Sequence, residues 1–337
     1  MKVCYLLQTH KNPNQIYRLV HTLKQLSPAA QIILNHDFTN CELDRAKFET
    51  FSHIQIIPSQ GGRGNFSLVQ SYLEATQWLL NHVSDFDWLI HLTGQDYPIH
   101  PLADVERFLL ETHYDGFLEY FQVFSQESPW KAQEGYTRYF YQYRTLSSNL
   151  SDWQKELLRP IKILNYFQPF IRVNSSYGLT LGLKTSVPFN SEFVCYGGSF
   201  LCILSRECIN YLHKFVELNP GILNHYKGVA NPDESFIQTV LINSQLFNLC
   251  NDSKRYFDFS GTRNGHPRVL SAEDFPKLVE SQAYFARKFD LNQDSSIFDL
   301  IDEYLLKLQE TEIEADNSLG VSNSQGDFNR DRALSGY

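Results

Sequence analysis

The residues Asn231-Pro232-Asp233-Glu234 hold the clearest chemical possibility in this chain. Asn at a cap, Pro at the first helical position and acids in the first turn predict a helix start. A carboxylate held there stays ionised near neutrality and can take a proton as a general base, which is what Glu234 offers. A purely structural reading stands beside it. Glu234 comes three residues after Asn231, as the reciprocal partner in a capping box does.

Two further segments carry cations: Gly265-His266-Pro267-Arg268 and Ala286-Arg287-Lys288-Phe289-Asp290. Arg268 follows a rigid His-Pro step in a polar loop, a good place to present a guanidinium to a phosphate, whereas Arg287 reads as solvated surface. Two cations from different loops can neutralise a diphosphate without a metal. The D-x-D pair Asp85-Phe86-Asp87 has metal-ligand spacing but precedes a strand, and after that strand only Asp96 remains. Asp85 and Asp87 fit a turn and a strand start instead. The eleven histidines show no HExxH spacing, so neither a metal nor a cofactor is expected. Gln60-Gly61-Gly62-Arg63-Gly64-Asn65 lacks the Walker Lys and does not follow GxGxxG; no GxSxG elbow occurs.

These residues need elements to hold them. Strands are predicted at 3–7, 32–34, 54–57 and 88–92, with helical spacing over 16–26 and 67–83. Short strands alternating with helices predict an α/β fold with a largely parallel sheet flanked by helices. Polar residues gather after the strands, at Gln8 to Asn12, Asp37 to Asn40 and Thr93 to Tyr97, where such sheets bind ligands. Residues 114–143 hold eleven aromatics without a clean period, which fits either irregular structure over a pocket or a second core cluster. Further on come a strand at 200–204, a helix at 207–218, a helix carrying Phe236, Val240 and Leu241, and a strand at 256–259.

At 337 residues, 42% of them hydrophobic, the chain can bury a sizeable core. Its formal charge of -9 argues against nucleic acid as a partner. The six cysteines lack CxxC spacing and read as free thiols of a reducing compartment. Met1 runs directly into a short apolar strand, and no stretch of eighteen apolar residues occurs. The expectation is therefore a cytoplasmic protein with no signal peptide and no transmembrane segment; peripheral association with a membrane stays open. Residues 309–337 are rich in acids, Ser and Asn and are expected to be a disordered tail, leaving 1–308 as the folded domain.

Several segments taken in order resemble a known family. They are YLLQTHKNP, NHD, NFSLVQ, LTGQDYPI, YGGSFLCILSREC, NPDESFIQTVLINS, GHPRVL and FARKFD. Together they resemble the core-2/I-branching β-1,6-N-acetylglucosaminyltransferases, a family that also holds the peptide O-xylosyltransferases, over residues 2–305. The resemblance implies a GT-A-like nucleotide-sugar fold, with an N-terminal nucleotide-binding part and an acceptor-binding and catalytic part over roughly 114–300. It implies an inverting, metal-independent transfer from a UDP-sugar, N-acetylglucosamine first and xylose second, to a glycan or glycoconjugate acceptor.

By the same resemblance Glu234 takes the place of the catalytic base, and Arg268 and Lys288 match two cations that hold the UDP diphosphate. Gln8, His10 and Asp37 sit where the family contacts uridine and ribose. Arg63 stands where the vertebrate enzymes carry a nucleotide-contacting Tyr, and Phe257 and Phe259 replace their acceptor-stacking Trp and Tyr. Glu119, Trp130, Lys131 and Arg138 are the expected acceptor contacts. A binding module without catalysis would be expected to lose Glu234 or the two cations, and all three are present. A dinucleotide oxidoreductase would need a glycine fingerprint where this chain reads Gln8-Thr9-His10-Lys11.

Overall fold

A strand buried on both faces cannot alternate apolar with polar residues, and β1 (Val3–Thr9) is buried along its whole length. In this computed structural model, which describes residues 1–62, 64–147, 151–157, 160, 165, 170–174, 179–262 and 266–311, β1 lies inside a seven-stranded sheet. β2 (Gln31–Asp37) and β4 (Trp88–Thr93) flank it in parallel, with Gln8 level with Asn35 on one side and Thr93 on the other. β3 (Ile54–Ser59) adds a further parallel neighbour. Beyond β4 come β12 (Ile203–Ser205), β6 (Gly116–Phe117) and β13 (Leu249–Cys250), giving the order β13-β6-β12-β4-β1-β2-β3. Within this sheet only the two pairings of β12 are antiparallel, so the central sheet is mostly parallel, as predicted for an α/β fold. The helices α1 (Pro13–Leu26) and α2 (Ser67–His82) follow β1 and β3 in the chain.

The chain divides into two compact units. The first comprises Met1–Pro13, Ala29–Gly94 and Leu110–Lys254; the second comprises Asn14–Pro28, Gln95–Leu109 and the chain from Arg255 on. In the first unit the core joins Cys4, Leu6 and Ile33 of the sheet to Val69, Tyr72 and Leu79 of α2. The helices Arg206–Leu218 and Phe236–Ser244 close it with Ile209, Leu212, Phe236 and Val240. Each such large apolar side chain contributes about 1.5–3 kcal/mol when fully buried. The same unit holds a three-stranded sheet of β8 (Tyr141–Ser147), β10 (Leu179–Lys184) and β9 (Ile171–Asn174). It also holds the short pair β7 (Phe121–Gln122) and β11 (Tyr196–Gly197).

In the second unit β5 (Asp96–Pro98), β15 (Phe285–Arg287) and β14 (Arg255–Phe257) form a small sheet. Its core stacks Tyr97, Phe289 and Phe298 edge to face, with centroids 4.9–5.8 Å apart between Tyr97 and the two phenylalanines. A buried phenol needs a partner. The Tyr97 hydroxyl donates to Asp302 Oδ1 at 2.8 Å, and Arg18 bonds the other oxygen of Asp302 and Asp299 at 2.7 Å each.

Three expectations change. The strand expected at 256–259 is Arg255–Phe257, because Asp258 Oδ1 accepts from the Ser260 amide at 2.8 Å and turns the chain. The aromatic stretch 114–143 is more regular than its spacing indicates: it builds β6, β7, α4 (Ala132–Tyr139) and the start of β8, and buries Phe117, Tyr139 and Tyr141 completely. The last described helix runs over 296–311 and so enters the segment expected to be a tail; residues 312–337 lie outside the described residues. None of the six cysteines forms a disulfide. Among the described residues no helix is long and apolar enough to cross a membrane.

Candidate active site

Asn231 does not cap a helix. Its backbone sits in the left-handed region (φ 51°, ψ 52°), and its side chain accepts no capping hydrogen bond. Pro232 disfavours right-handed helical backbone at the residue before it, and Asn is one of the few residues that tolerates the left-handed alternative. Residues Pro232–Glu234 form one turn of 3-10 helix, and the α-helix begins only at Phe236. Tertiary bonds fix the turn: the Asn231 amide donates to Gly64 O at 3.1 Å, and the Gly198 amide donates to Glu234 O at 2.9 Å. Gly198 has to be glycine here, since a Cβ would lie 1.9 Å from the Glu119 carbonyl oxygen. The Glu119 backbone, the Gly198 loop and Glu234 are thereby brought together.

The Glu234 side chain is paired with Arg138 of α4, not with a cap. Arg138 Nη1 donates to Glu234 Oε2, and Nη2 donates to Glu134 Oε1 at 2.5 Å. The guanidinium also lies 4.1 Å from the centroid of the Trp130 ring. Trp130 is held edge-on by Phe121 at 4.8 Å and lies nearly parallel to Tyr139 at 6.3 Å. Of the expected acceptor contacts, Arg138 thus bonds Glu234 and Trp130 stacks on Arg138, whereas Lys131 is an exposed residue at the N-terminus of α4. The Glu119 carboxylate accepts from the Ser253 hydroxyl at 3.4 Å. Phe124 and Phe140, from the aromatic stretch, line a cavity of about 240 Å³ together with Phe189 and Cys195.

Asp233, which sequence reasoning passed over, is the most perturbed acid of the turn. Its Oδ1 is closed off from solvent and has no hydrogen-bond partner among the described residues. Burial, reinforced by the neighbouring Glu234 charge, pushes its carboxyl up to about 7 from an ordinary 3.8. The folded chain then keeps a proton that the unfolded chain releases, so this group weakens stability as pH rises from about 4 to about 7. Asp233→Asn keeps the shape without the charge. Thermal melts should show a higher melting temperature than wild type at pH 8, with the gain fading towards pH 4. A difference that stays constant across that range would sink the argument.

The residues expected to meet the nucleoside belong to the same unit. Asp37 ends β2; burial works to raise its pKa, but hydrogen bonds from Thr39 and the Gly61 amide, helped by His10, outweigh it and hold the carboxyl low. The Gly61–Asn65 segment links this carboxylate to the Glu234 turn, with Gly61 bonded to Asp37 and Gly64 to Asn231. Arg63, between them, lies outside the described residues. Gln8 is buried and braces three strands. Its amide donates to Asn35 Oδ1 at 3.3 Å and to Leu68 O at 3.2 Å, and its oxygen pairs with His91 at 3.0 Å.

Arg268, Lys288, Phe257 and Phe259 cluster in the second unit. The Arg268 amide bonds Asp258 O at 2.8 Å, and the Leu270 amide bonds Lys288 O at 2.9 Å. Phe257 and Phe259 lie 6.1 Å apart, Phe259 largely exposed. The Arg268 guanidinium is engaged by two acids: Nε bonds Asp258 Oδ2 and Nη1 bonds Asp274 Oδ2, both at 2.8 Å. Arg287 is a correction, since it pairs at 3.1 Å with Asp96, a fully buried carboxylate, and is not simple surface. Asp85 pairs with the Lys2 ammonium and Asp87 accepts from the Lys2 amide, as a turn and strand start would have them. Among the described residues no group of three or more His, Cys, Asp or Glu could hold a metal ion.

Comparison with known proteins supports the family that the sequence motifs indicate. A family profile described as Core-2/I-branching enzyme matches residues 5–279. The chain is 25% identical over 305 residues to the beta-glucuronosyltransferase GlcAT14B of Arabidopsis thaliana, covering 88% of this chain and 61% of that protein. It is 24% identical over 303 residues to GlcAT14A of the same plant, covering 88% of this chain and 59% of that protein. The chain therefore spans about three fifths of the length of these relatives. Among solved structures, a 4-diphosphocytidyl-2C-methyl-D-erythritol synthase from Anaerococcus prevotii superposes at TM-score 0.35 and 9% identity, covering 83% of this chain and 95% of that one.

Proposed function

Because the chain belongs to the Core-2/I-branching enzyme family, we propose that it is an inverting, metal-independent glycosyltransferase that moves a sugar from a UDP-sugar to a hydroxyl of a glycan acceptor. The observation that carries this reading is the family match over residues 5–279; Glu234 lies within that span, and its role as the base is part of the proposal. In a single in-line displacement Glu234 takes the proton of the acceptor hydroxyl. The freed oxygen attacks the anomeric carbon from the face opposite UDP, and the bond to UDP breaks with its electron pair leaving on the diphosphate. Arg268 and Lys288 meet that charge, the role a metal plays in other transferases.

N-acetylglucosamine is the donor sugar in this proposal. The names of the two plant relatives favour glucuronic acid as a second reading, and xylose follows. A screen of UDP release from UDP-N-acetylglucosamine, UDP-glucuronic acid and UDP-xylose, with and without excess EDTA, tests the proposal. The expected outcome is fastest release from UDP-N-acetylglucosamine at a rate unchanged by chelator. Fastest release from another of the three reassigns the donor and keeps the reaction class. Release that vanishes in EDTA and returns with Mn²⁺ overturns metal independence. Failure with all three donors, with and without added glycan acceptors, overturns the class.

A further inference from the structure

We propose that Arg138 is a positioning residue for Glu234: it holds Glu234 Oε2 and leaves Oε1 as the oxygen that takes the acceptor proton. This rests on the reading of Glu234 as the base. A glutamate side chain has three rotatable bonds, and a base that rotates among several directions spends little time aimed at the reacting hydroxyl. Here both ends of the residue are fixed. The Glu234 amide bonds Asn231 O at 3.2 Å and its carbonyl accepts from Gly198 at 2.9 Å, while Arg138 Nη1 takes Oε2. Arg138 is itself fixed by Glu134 on its other nitrogen and by the face of Trp130. A planar guanidinium suits this task because its donors are rigidly forked and it does not lose its proton.

The two oxygens of Glu234 are therefore unequal. Oε2 receives a charge-assisted bond. Among the described residues Oε1 receives only the Asn231 side-chain Nδ2 at 3.4 Å, near the outer limit of a hydrogen bond and easily exchanged for a better donor. Glu234 is about a third exposed and Arg138 less so, so the carboxylate is the more open of the two to an incoming hydroxyl. Among the described residues, the helices packed against the turn bring no competing charge. The helix Phe236–Ser244 carries no ionisable side chain, nor do the first four residues of α2. Asp233 shares the turn and feels the Glu234 charge, but its buried Oδ1 makes no hydrogen bond among the described residues.

The test is turnover of the full chain, read as UDP release from UDP-N-acetylglucosamine and from UDP-glucuronic acid. Arg138→Ala should lower kcat roughly ten- to a hundredfold, the loss of one charged hydrogen bond, with donor KM within about twofold. Added guanidinium ion at sub-denaturing concentration should restore part of the loss. Arg138→Lys should recover part of it too, because an ammonium can take Oε2 but cannot fork to Glu134. A raised KM at unchanged kcat would make Arg138 a binding residue and overturn the proposal, as would wild-type turnover in Arg138→Ala. If Glu234→Gln keeps its activity, the reading of the base fails, and this is seen separately. A second measurement needs no turnover. Slowly exchanging Nη–H signals of Arg138 in ¹⁵N spectra should vanish in Glu234→Ala and persist in Glu134→Gln; signals untouched by Glu234→Ala would show that the pairing does not exist.

Discussion

Glu234→Gln is expected to lower turnover by about 10²–10⁴-fold, the usual cost of losing a general base, while donor binding and folding stay close to wild type. The variant keeps what the turn needs. Its backbone bonds to Asn231 and Gly198 are untouched, and the amide oxygen can still accept from Arg138. Replacing a charged acceptor by a neutral one weakens that bond by about 1 kcal/mol. Against this, removing the Glu234 charge relieves the buried Asp233 carboxyl beside it. The two changes oppose each other, so the melting temperature should move little. What the amide cannot do is take a proton. UDP release, donor affinity and a thermal melt measured on the same sample decide the matter. Turnover within a few-fold of wild type would mean that Glu234 serves the turn alone.

The central strands were legible because double burial leaves an apolar run that no polar face interrupts, as in β1 and β2. The candidate base was legible as a residue but not as a geometry. Asn231-Pro232 satisfies the pattern of a helix cap, yet the same pair satisfies a left-handed residue followed by a 3-10 turn. The choice falls to backbone bonds from Gly64 and Gly198, distant in sequence. The pairing of Arg138 with Glu234 spans 96 residues and that of Arg287 with Asp96 spans 191, and no local period encodes either. Only the Glu134–Arg138 pair had a readable signal, the i,i+4 spacing on one helix. The aromatic stretch mixes both of its readings, Tyr139 and Tyr141 in the core and Phe124 at a cavity, because aromatic content alone does not say which side faces water.

Arg268→Ala should destabilise the chain, because it leaves the enclosed Asp274 carboxylate without its guanidinium partner, and this effect must be separated from any effect on the donor. The guanidinium bridges Asp258 and Asp274, and Asp274 is 4% exposed. Asp274 also accepts from the Ser271 amide at 2.9 Å and so holds the start of a short helical turn. Hydrogen bonds, from Ser260 first and from Arg268 after, bring the Asp258 carboxyl down to about 2, and that of Arg268 leads in lowering Asp274. Their contribution is in place above an ordinary carboxylate pKa near 4 and is lost as pH falls towards 2. Truncating Arg268 strands both acids, so the urea midpoint should fall at pH 7 and the gap to wild type should narrow in acid. Arg268→Lys keeps a positive charge for a phosphate but cannot span both carboxylates. It should lose most of the same stability while retaining more of the UDP affinity than Arg268→Ala. An Arg268→Ala midpoint equal to wild type would mean that the two acids do not hold the guanidinium, leaving it wholly available to a diphosphate.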